Sequence, residues 1–329
     1  KTKGINILNS SKMFKGKKHK IEEPKIKVKT WREAMINFGD EEFKEYYEAN
    51  KGNINGLNDG YNGPLPLACE RNRFELVKFL LEDENINPQE RRQGTDSILG
   101  RILWRASSNS ESAKILEYLL EHPRVDVNVR NGANRTPFQI ACTLNNKTLL
   151  GLCLKNPRVN LSVLSDGQSP MFETCANGWI QTFEALIECD KIDIDLPESF
   201  TKATPLYIAC EKGRLKFVKV LIKHPKVNVN AMNTFSSTPL YVACQNGMTE
   251  IVKVLLDDER VDINLSRANG MTPFMISCFY GHNSIVELFF LSKRNLQLNK
   301  IVDGKTSLDL AKERGHTEIV ELFQKYLNG

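Results

Sequence analysis

The sequence has no apolar run long enough to cross a bilayer. None of its 329 residues lies in a stretch approaching the ~18 uninterrupted apolar residues that a membrane-spanning helix requires. The first thirty residues also lack the apolar segment of a signal peptide, so we expect neither a membrane span nor secretion. The chain does not begin with Met. We therefore expect it to derive from a longer product, and an enzyme domain upstream of Lys1 remains open.

Signatures of catalysis and of cofactor binding are missing as well. No glycine-rich loop has the spacing of a phosphate-binding site. The five histidines stand at no defined offset from a serine, a cysteine or a carboxylate that would indicate an activated nucleophile. The eight cysteines form none of the close pairs that hold zinc. We therefore predict that this chain is not an enzyme and binds no cofactor or metal.

Positive charge is concentrated at the N-terminus. Residues 1–29 contain ten lysines, two glutamates and no arginine, a net charge of +8, whereas the remaining 35 basic and 38 acidic residues give −3. No helical or strand period is sustained there, and the lysines repel each other. We predict an extended or disordered arm, called the basic arm below. Its densest cluster consists of Lys12, Lys15, Lys17, Lys18 and Lys20.

Two kinds of partner remain open for the basic arm. Lysine without arginine suits diffuse attraction to a polyanion such as RNA better than specific bidentate contacts. Apolar residues within the arm, including Met13, Phe14 and Ile21, would instead anchor it on a protein surface. A third possibility is a solvated linker to an upstream segment.

A seven-residue string recurs through the rest of the chain. Residues 204–210 read TPLYIAC and residues 238–244 read TPLYVAC, with looser copies elsewhere. The position of proline in the string falls at 64, 102, 137, 170, 205, 239, 273 and 307, so the steps are 33 to 38 residues. Thr before Pro predicts a helix start. A glycine and a second apolar period follow, which predicts two helices per unit.

This string at this period resembles the ankyrin repeat. The resemblance covers roughly residues 60–329. It implies an all-α solenoid of about nine units, each a helix-turn-helix followed by a finger, the loop that leads to the next unit. We expect the basic arm at 1–29, a degenerate N-terminal capping repeat at 30–60 and the ankyrin-repeat solenoid at 61–329.

Six of the cysteines share one position of the repeat. Stacked helices lie ~8–10 Å apart, which is too far for a disulfide between neighbouring units. We expect small, buried thiols at tight helix interfaces. Unpaired cysteines on this scale are typical of a reducing compartment, so we predict a cytoplasmic protein, with a cytoskeletal association as a further expectation. The six residues are Cys69, Cys142, Cys175, Cys210, Cys244 and Cys278.

In the ankyrin family, finger tips and the exposed sides of first helices bind protein partners, and the resemblance implies the same here. The candidate finger residues are Arg130, Asn134, Arg135, Phe200, Lys202, Asn233, Phe235, Arg267, Met271 and Lys305, and the first-helix candidates are Phe279 and Tyr280. Phe200 and Phe235 occupy corresponding positions in adjacent fingers. They are either anchors for a partner or packed on the neighbouring finger.

A second aromatic-rich row occupies the fourth position of the string: Trp104, Phe172, Tyr207, Tyr241 and Met275. We expect this row to pack inside the chain. The leading hypothesis for function is a non-enzymatic protein-binding scaffold or adaptor, which we expect to be a subunit of a larger assembly. The alternative is a factor that associates with RNA or ribonucleoprotein through the basic arm.

Overall fold

The computed structural model describes residues 28–53, 63–89 and 97–328. Within these ranges the chain contains eighteen α-helices, a short 3₁₀ turn (Lys51–Asn53) and two isolated β-bridges, but no strand. The basic arm up to residue 27, with its lysine cluster at positions 12–20, lies outside the described residues. So do residues 54–62 and 90–96.

The helices form nine consecutive pairs, numbered units 1 to 9. They are α1 (Trp31–Asn37) and α2 (Asp40–Asn50); α3 (Pro64–Glu70) and α4 (Phe74–Glu82); α5 (Ile98–Ala106) and α6 (Ser110–Glu121); α7 (Pro137–Thr143) and α8 (Lys147–Lys155); α9 (Pro170–Asn177) and α10 (Ile180–Ile187); α11 (Pro205–Glu211) and α12 (Leu215–Leu221); α13 (Pro239–Gln245) and α14 (Thr249–Leu256); α15 (Pro273–Tyr280) and α16 (Asn283–Leu291); α17 (Ser307–Glu313) and α18 (Thr317–Asn328). The predicted all-α solenoid is confirmed.

The Thr-Pro pairs begin the first helices, as predicted. The hydroxyl of Thr238 accepts a hydrogen bond from the backbone N–H of Tyr241 at 3.1 Å, and Pro239 is the first helical residue. A side-chain oxygen at this position satisfies a donor that the first turn leaves without a helical partner, and proline has no such donor to satisfy. The same cap is formed by Thr136, Ser169, Thr204, Thr272 and Thr306.

Glycine between the two helices of a unit has two roles. Gly281 has φ +75°, the left-handed region that a residue with a Cβ adopts only with strain. A Cβ at Gly281 would also lie 2.5 Å from Cε1 of His316, which belongs to the next unit. That imidazole contacts the carbonyl oxygen of Phe279 through Nε2 at 3.1 Å. In unit 4, Asn145 takes the glycine position with φ +48°, because asparagine tolerates this region better than other residues.

The units stack along one continuous apolar core. First helices contact the first helices of their neighbours, and second helices form a parallel row, as between α12 and α14. The six cysteines of the shared position are buried and unpaired, as predicted. Burial raises the pKa of Cys69 and of Cys244 to about 12, so these thiols stay protonated.

Unit 1 is held to unit 2 by aromatic packing and polar contacts. Tyr47 is fully buried, with its ring 5.6 Å from that of Phe79 in α4. The Tyr47 hydroxyl donates to Asp83 at 3.0 Å, and Arg73 forms an ion pair with Asp40 at 2.5 Å. The boundaries of the basic arm, the capping repeat and the solenoid stay predictions.

The repeat string assigned to unit 3 from the sequence is displaced by four residues. Helix α5 begins at Ile98, and the hydroxyl of Ser97 accepts from the N–H of Gly100 at 3.2 Å. The position that proline holds elsewhere is therefore Ile98 and not Ile102. The prediction is wrong because this unit has lost the Thr-Pro-Leu residues of the repeat string. The cap Ser97 and the 34-residue step from Pro64 to Ile98 would have given the correct register.

Arginines after the second helices bind the end of the preceding unit, a feature that the sequence analysis missed. Arg158 donates to the carbonyl oxygens of Leu120 at 2.5 Å and His122 at 3.0 Å, at the end of α6. These carbonyls have no partner within their own helix. Units 5 and 6 have Lys191 and Lys226 at this position, and within the described ranges neither amine reaches the preceding unit. The other arginines of this kind are Arg124, Arg260 and Arg294.

Asparagine side chains link neighbouring units further along the same segment. The amide of Asn230 donates to the carbonyl oxygen of Arg260 at 2.7 Å, and its Oδ1 accepts from the N–H of Asp262 at 2.8 Å. Asn128 makes the same two bonds with unit 4. A primary amide can bridge two backbone groups in this way because it both donates and accepts.

Unit 5 has an aspartate where these asparagines stand. Oδ2 of Asp195 accepts from the N–H of Asn228 at 2.9 Å, but the buried Oδ1 has no hydrogen-bond partner. Burial raises the pKa of Asp195 from 3.8 to about 6, against the opposing effect of the Asn228 bond. The junction between units 5 and 6 therefore contains a carboxyl group that resists ionisation.

Candidate partner-binding surface

Backbone hydrogen bonds join consecutive fingers into a ladder. The N–H of Ser199 donates to the carbonyl oxygen of Gly167 at 2.9 Å, and the N–H of Thr234 donates to that of Thr201 at 2.7 Å. The N–H of Ala268 donates to the carbonyl oxygen of Phe235 at 3.1 Å. The fingers before α9, α11, α13 and α15 are therefore fixed relative to one another by main-chain contacts.

Each finger is also closed by its own side-chain caps. Oδ1 of Asn233 accepts from the backbone N–H groups of Phe235 and Ser237, both at 2.9 Å. Asn233, a predicted partner-binding residue, therefore shapes its turn. The predicted residues Asn134 and Lys202 have φ +59° and +58°, and both side chains are exposed.

A buried carboxylate organises the finger that carries Phe200. Glu198 accepts from the N–H of Phe200 at 2.8 Å, from the N–H of Thr201 at 2.7 Å and from the Thr201 hydroxyl at 2.6 Å. Burial opposes ionisation, but these hydrogen bonds outweigh it, so the pKa of Glu198 lies below its usual 4.5. At neutral pH the charged carboxylate holds the backbone of Phe200 in place.

Phe200 and Phe235 are exposed in adjacent fingers. Phe200 is 76% exposed and Phe235 is 54% exposed. The guanidinium carbon of Arg267 lies 5.6 Å from the centre of the Phe235 ring, which is a cation–π contact. Cε2 of Phe200 lies 3.0 Å from where a Cβ on Gly167 would stand. Both rings therefore contact a neighbouring finger and still leave most of their surface in solvent. We call Phe200, Lys202, Phe235 and Arg267 the aromatic finger patch.

The predicted residues of the finger before α7 form a separate group. Arg130 is exposed and donates to the carbonyl oxygen of Asn134 at 2.6 Å. Arg135 is half-buried and forms an ion pair with Glu173 of α9 at 2.7 Å. Burial raises the pKa of Glu173, and the Arg135 charge offsets part of this rise. Arg135 therefore links units 4 and 5.

The remaining predicted residues lie toward the C-terminal end. Met271 is half-buried and packs against the core, and Lys305 pairs with Glu313 at 2.5 Å. Phe279 is half-buried beneath the guanidinium of Arg314, 3.9 Å from the ring centre. The neighbouring Tyr280 is 48% exposed. A role of these residues in partner binding stays a prediction.

Trp104 is the exposed aromatic residue that the sequence analysis misjudged. Phe172, Tyr207, Tyr241 and Met275 are buried as expected, whereas Trp104 is 54% exposed. The four-residue displacement in unit 3 explains the difference. In the correct register Trp104 corresponds to Phe279, on the exposed side of a first helix. The structure thus adds Trp104 to the candidate first-helix residues.

Among the helices of the described ranges, none combines the length and the apolar character needed to traverse a bilayer. Within the same ranges, no three His, Cys, Asp or Glu side chains are grouped so that they could hold a metal ion.

Comparison with known proteins identifies the repeat. The model for ankyrin repeats matches three overlapping segments, 138–233, 191–267 and 240–328. The human transient receptor potential cation channel subfamily A member 1 is 29% identical over 175 residues, which are 51% of this chain and 15% of the channel subunit. Human Rabankyrin-5 is 28% identical over 168 residues, 50% of this chain and 14% of that protein. Tyrosine-protein kinase HTK16 of Hydra vulgaris is 35% identical over 183 residues, 51% of this chain and 22% of the kinase.

These relatives are much longer than the matched region, since the chain spans less than a quarter of each. The ankyrin model, by contrast, covers more than half of the chain, and its matches fall on units 4 to 9. Together with the nine stacked helix pairs, this match shows that the chain belongs to the ankyrin-repeat family.

Proposed function

We propose that this chain is a scaffold that captures a protein partner on its fingers and first helices, with the aromatic finger patch as the principal contact. Ankyrin repeats serve in general as protein–protein interaction modules without catalytic activity. The observation that carries the proposal is the exposure of Phe200 (76%) and Phe235 (54%) on fingers that backbone hydrogen bonds hold together.

Two physical arguments favour this patch. Exposed aromatic rings are costly in water, and aromatic residues, phenylalanine included, are enriched together with arginine in protein–protein interfaces. The ladder also fixes the fingers before a partner arrives, so little ordering entropy is lost on binding. Trp104 and Tyr280 extend the proposed surface along the first helices.

Capture from native lysate by chemical crosslinking tests the proposal. We expect the double variant Phe200→Ala/Phe235→Ala to lose most of the captured protein while keeping its helical circular dichroism. Leu291→Ala is the matched control, because Leu291 is 67% exposed on α16, away from the fingers. Lys202→Glu should weaken capture as well. Equal capture by the double variant and the control would refute the assignment of the surface.

We propose the basic arm as a second attachment point on the same partner or assembly, which would raise avidity through effective concentration. Its ten lysines also keep the alternative of RNA or ribonucleoprotein binding. Deletion of residues 1–29 distinguishes the two. RNA binding through the arm should fall steeply with salt and vanish in the deletion variant. Binding that is insensitive to salt and retained without the arm contradicts the RNA alternative.

We propose a reducing compartment, the cytoplasm, as the location, with a cytoskeletal association as an expectation. The support is that all eight cysteines are unpaired and seven are buried. Localisation of the tagged full-length protein by microscopy tests this proposal.

A further inference from the structure

A row of lysines runs along the exposed face of α12, in unit 6. Lys216, Lys219, Lys223 and Lys226 are all exposed. Lys216, Lys219 and Lys223 are three and four residues apart, which places them on one side of α12 and the turn that continues it, and Lys226 follows Pro225 beyond the helix end. Among the described residues none of the four forms an ion pair. We call these four residues the lysine stripe. It lies on the row of second helices, and no finger contributes to it.

The repeat itself does not require these lysines, because the same four positions carry other charges in the adjacent units. The stripe has a charge of +4. The corresponding residues of unit 5 sum to −1, and those of unit 7 sum to zero. In unit 5 they are Gln181, Glu184, Glu188 and Lys191, and in unit 7 they are Glu250, Lys253, Asp257 and Arg260. The fold is therefore stable with any of these patterns, and the concentration of charge is specific to unit 6.

Two further features of unit 6 bear on binding. Val220 lies within the stripe and is 42% exposed, so the face offers an apolar contact between its charges. Lys226 occupies the position at which Arg158 and Arg294 donate hydrogen bonds to backbone carbonyl oxygens of the preceding unit. Its ammonium group, on a flexible stem, remains available to a ligand.

The charges that flank the stripe decide which ligand fits. Glu184 on α10 and Glu188 directly after it flank the stripe on one side. On the other side Glu250 of α14 and Asp257 directly after it alternate with Lys253 and Arg260, so the uninterrupted basic strip is one helix wide. A flat anionic membrane or a nucleic acid duplex would also overlap these carboxylates, which oppose the attraction of the lysines. A single helix packed at ~8–10 Å from α12 would contact the lysines and avoid the flanks.

We propose that the lysine stripe binds an acidic, amphipathic helical segment of a partner protein, with glutamates or aspartates facing the lysines and one apolar side chain against Val220. This surface is independent of the aromatic finger patch. The chain would then hold one partner on its fingers and another segment on its second helices.

Binding of a synthetic peptide to the full-length chain tests the proposal. The probe is a fluorescently labelled, alanine-based helical peptide with four glutamates on one face and a leucine among them, followed by anisotropy at low salt. The variant Lys216→Gln/Lys219→Gln/Lys223→Gln should bind it about tenfold more weakly, a loss of ~1.4 kcal/mol shared among three exposed charge pairs. Val220→Ser should weaken binding of the leucine peptide but not of a peptide with alanine in its place.

The control removes the same charge elsewhere. Lys114→Gln/Lys155→Gln/Lys325→Gln neutralises three exposed lysines on α6, α8 and α18 and leaves the basic arm unchanged, so affinity should stay within about twofold of the parent chain. An equal loss in both triple variants would overturn the proposal, since binding would then follow net charge. Stripe-dependent binding of single-stranded RNA or phosphatidylserine vesicles that exceeds binding of the peptide would overturn it too.

Discussion

Replacement of Asp195 by asparagine should stabilise the protein at neutral pH and have little effect in acid. At the corresponding position in units 3 and 6, Asn128 and Asn230 donate to a carbonyl oxygen of the next unit. In unit 5 the ionised carboxylate of Asp195 can only accept, and its Oδ1 remains buried without a partner. An amide at this position would donate where the carboxylate cannot.

The raised pKa of Asp195 sets the size and sign of the effect. A carboxyl group that titrates at 3.8 when unfolded and at about 6 when folded holds its proton more tightly in the folded chain. The free energy of unfolding therefore falls as the pH rises from about 4 to about 6, by up to ~3 kcal/mol. Below pH 4 the protonated carboxyl can donate as the amide does, so Asp195→Asn should gain little there and most above pH 7.

Urea unfolding followed by circular dichroism at pH 4 and at pH 7.5 measures this difference. Asp126→Asn is the matched control: it removes one carboxylate that is exposed and caps the N–H of Asn128 at 2.9 Å. We expect no pH-dependent gain from it. A stabilisation by Asp195→Asn that is equal at both pH values, or a loss of stability at pH 7.5, would refute the reasoning.

Three further substitutions probe the junctions by urea unfolding. Arg158→Ala should lower the free energy of unfolding by ~2 kcal/mol, because the carbonyl groups at the end of α6 lose a charged donor. Lys226→Ala at the equivalent position should lower it by under ~0.5 kcal/mol. Equal losses would contradict the role of arginine. Thr238→Ala should cost ~1 kcal/mol through loss of its cap, and a neutral effect would contradict it. Gly281→Ala should cost ~1 kcal/mol more than Gly315→Ala, because both glycines have φ near +75° but only Gly281 faces a close side chain; identical losses would leave backbone strain as the whole effect.

The fold could be predicted from the sequence because each unit repeats the same local signals. A Thr-Pro helix start, a glycine at the helix end and an apolar period act over a few residues, and eight approximate copies average out their individual ambiguity. The register of unit 3 was predicted wrongly because this unit has lost the Thr-Pro-Leu string. Ser97 caps α5 as threonine does elsewhere, but Ile98 replaces proline, and Trp104 was consequently given a buried position.

Contacts between units were beyond the sequence for a different reason. The bonds of Arg158 join residues about 36 apart, and the chemistry of the side chain alone does not say which carbonyls it meets. The partner of Arg135 could not be read from the sequence either: its position in a finger suggested an exposed side chain, but it forms an ion pair with Glu173. Exposure of Phe200 and Phe235 was likewise undecided until the fingers were seen to be joined through their backbones.

The change from arginine to lysine at units 5 and 6 has a mechanical consequence. In a linear array each unit is stabilised by its two neighbours, so the weakest junction determines where the array bends or opens first. Within the described residues, neither junction of unit 5 has the arginine that elsewhere follows a second helix and binds the end of the preceding one, and Asp195 weakens the junction with unit 6 further. On the opposite side Arg135 and the finger backbones keep the units joined. The solenoid should therefore bend most easily at unit 5. Bending there changes the angle between unit 3, which carries Trp104, and the finger that carries Phe235. A ligand that contacts both residues would stabilise one curvature of the solenoid.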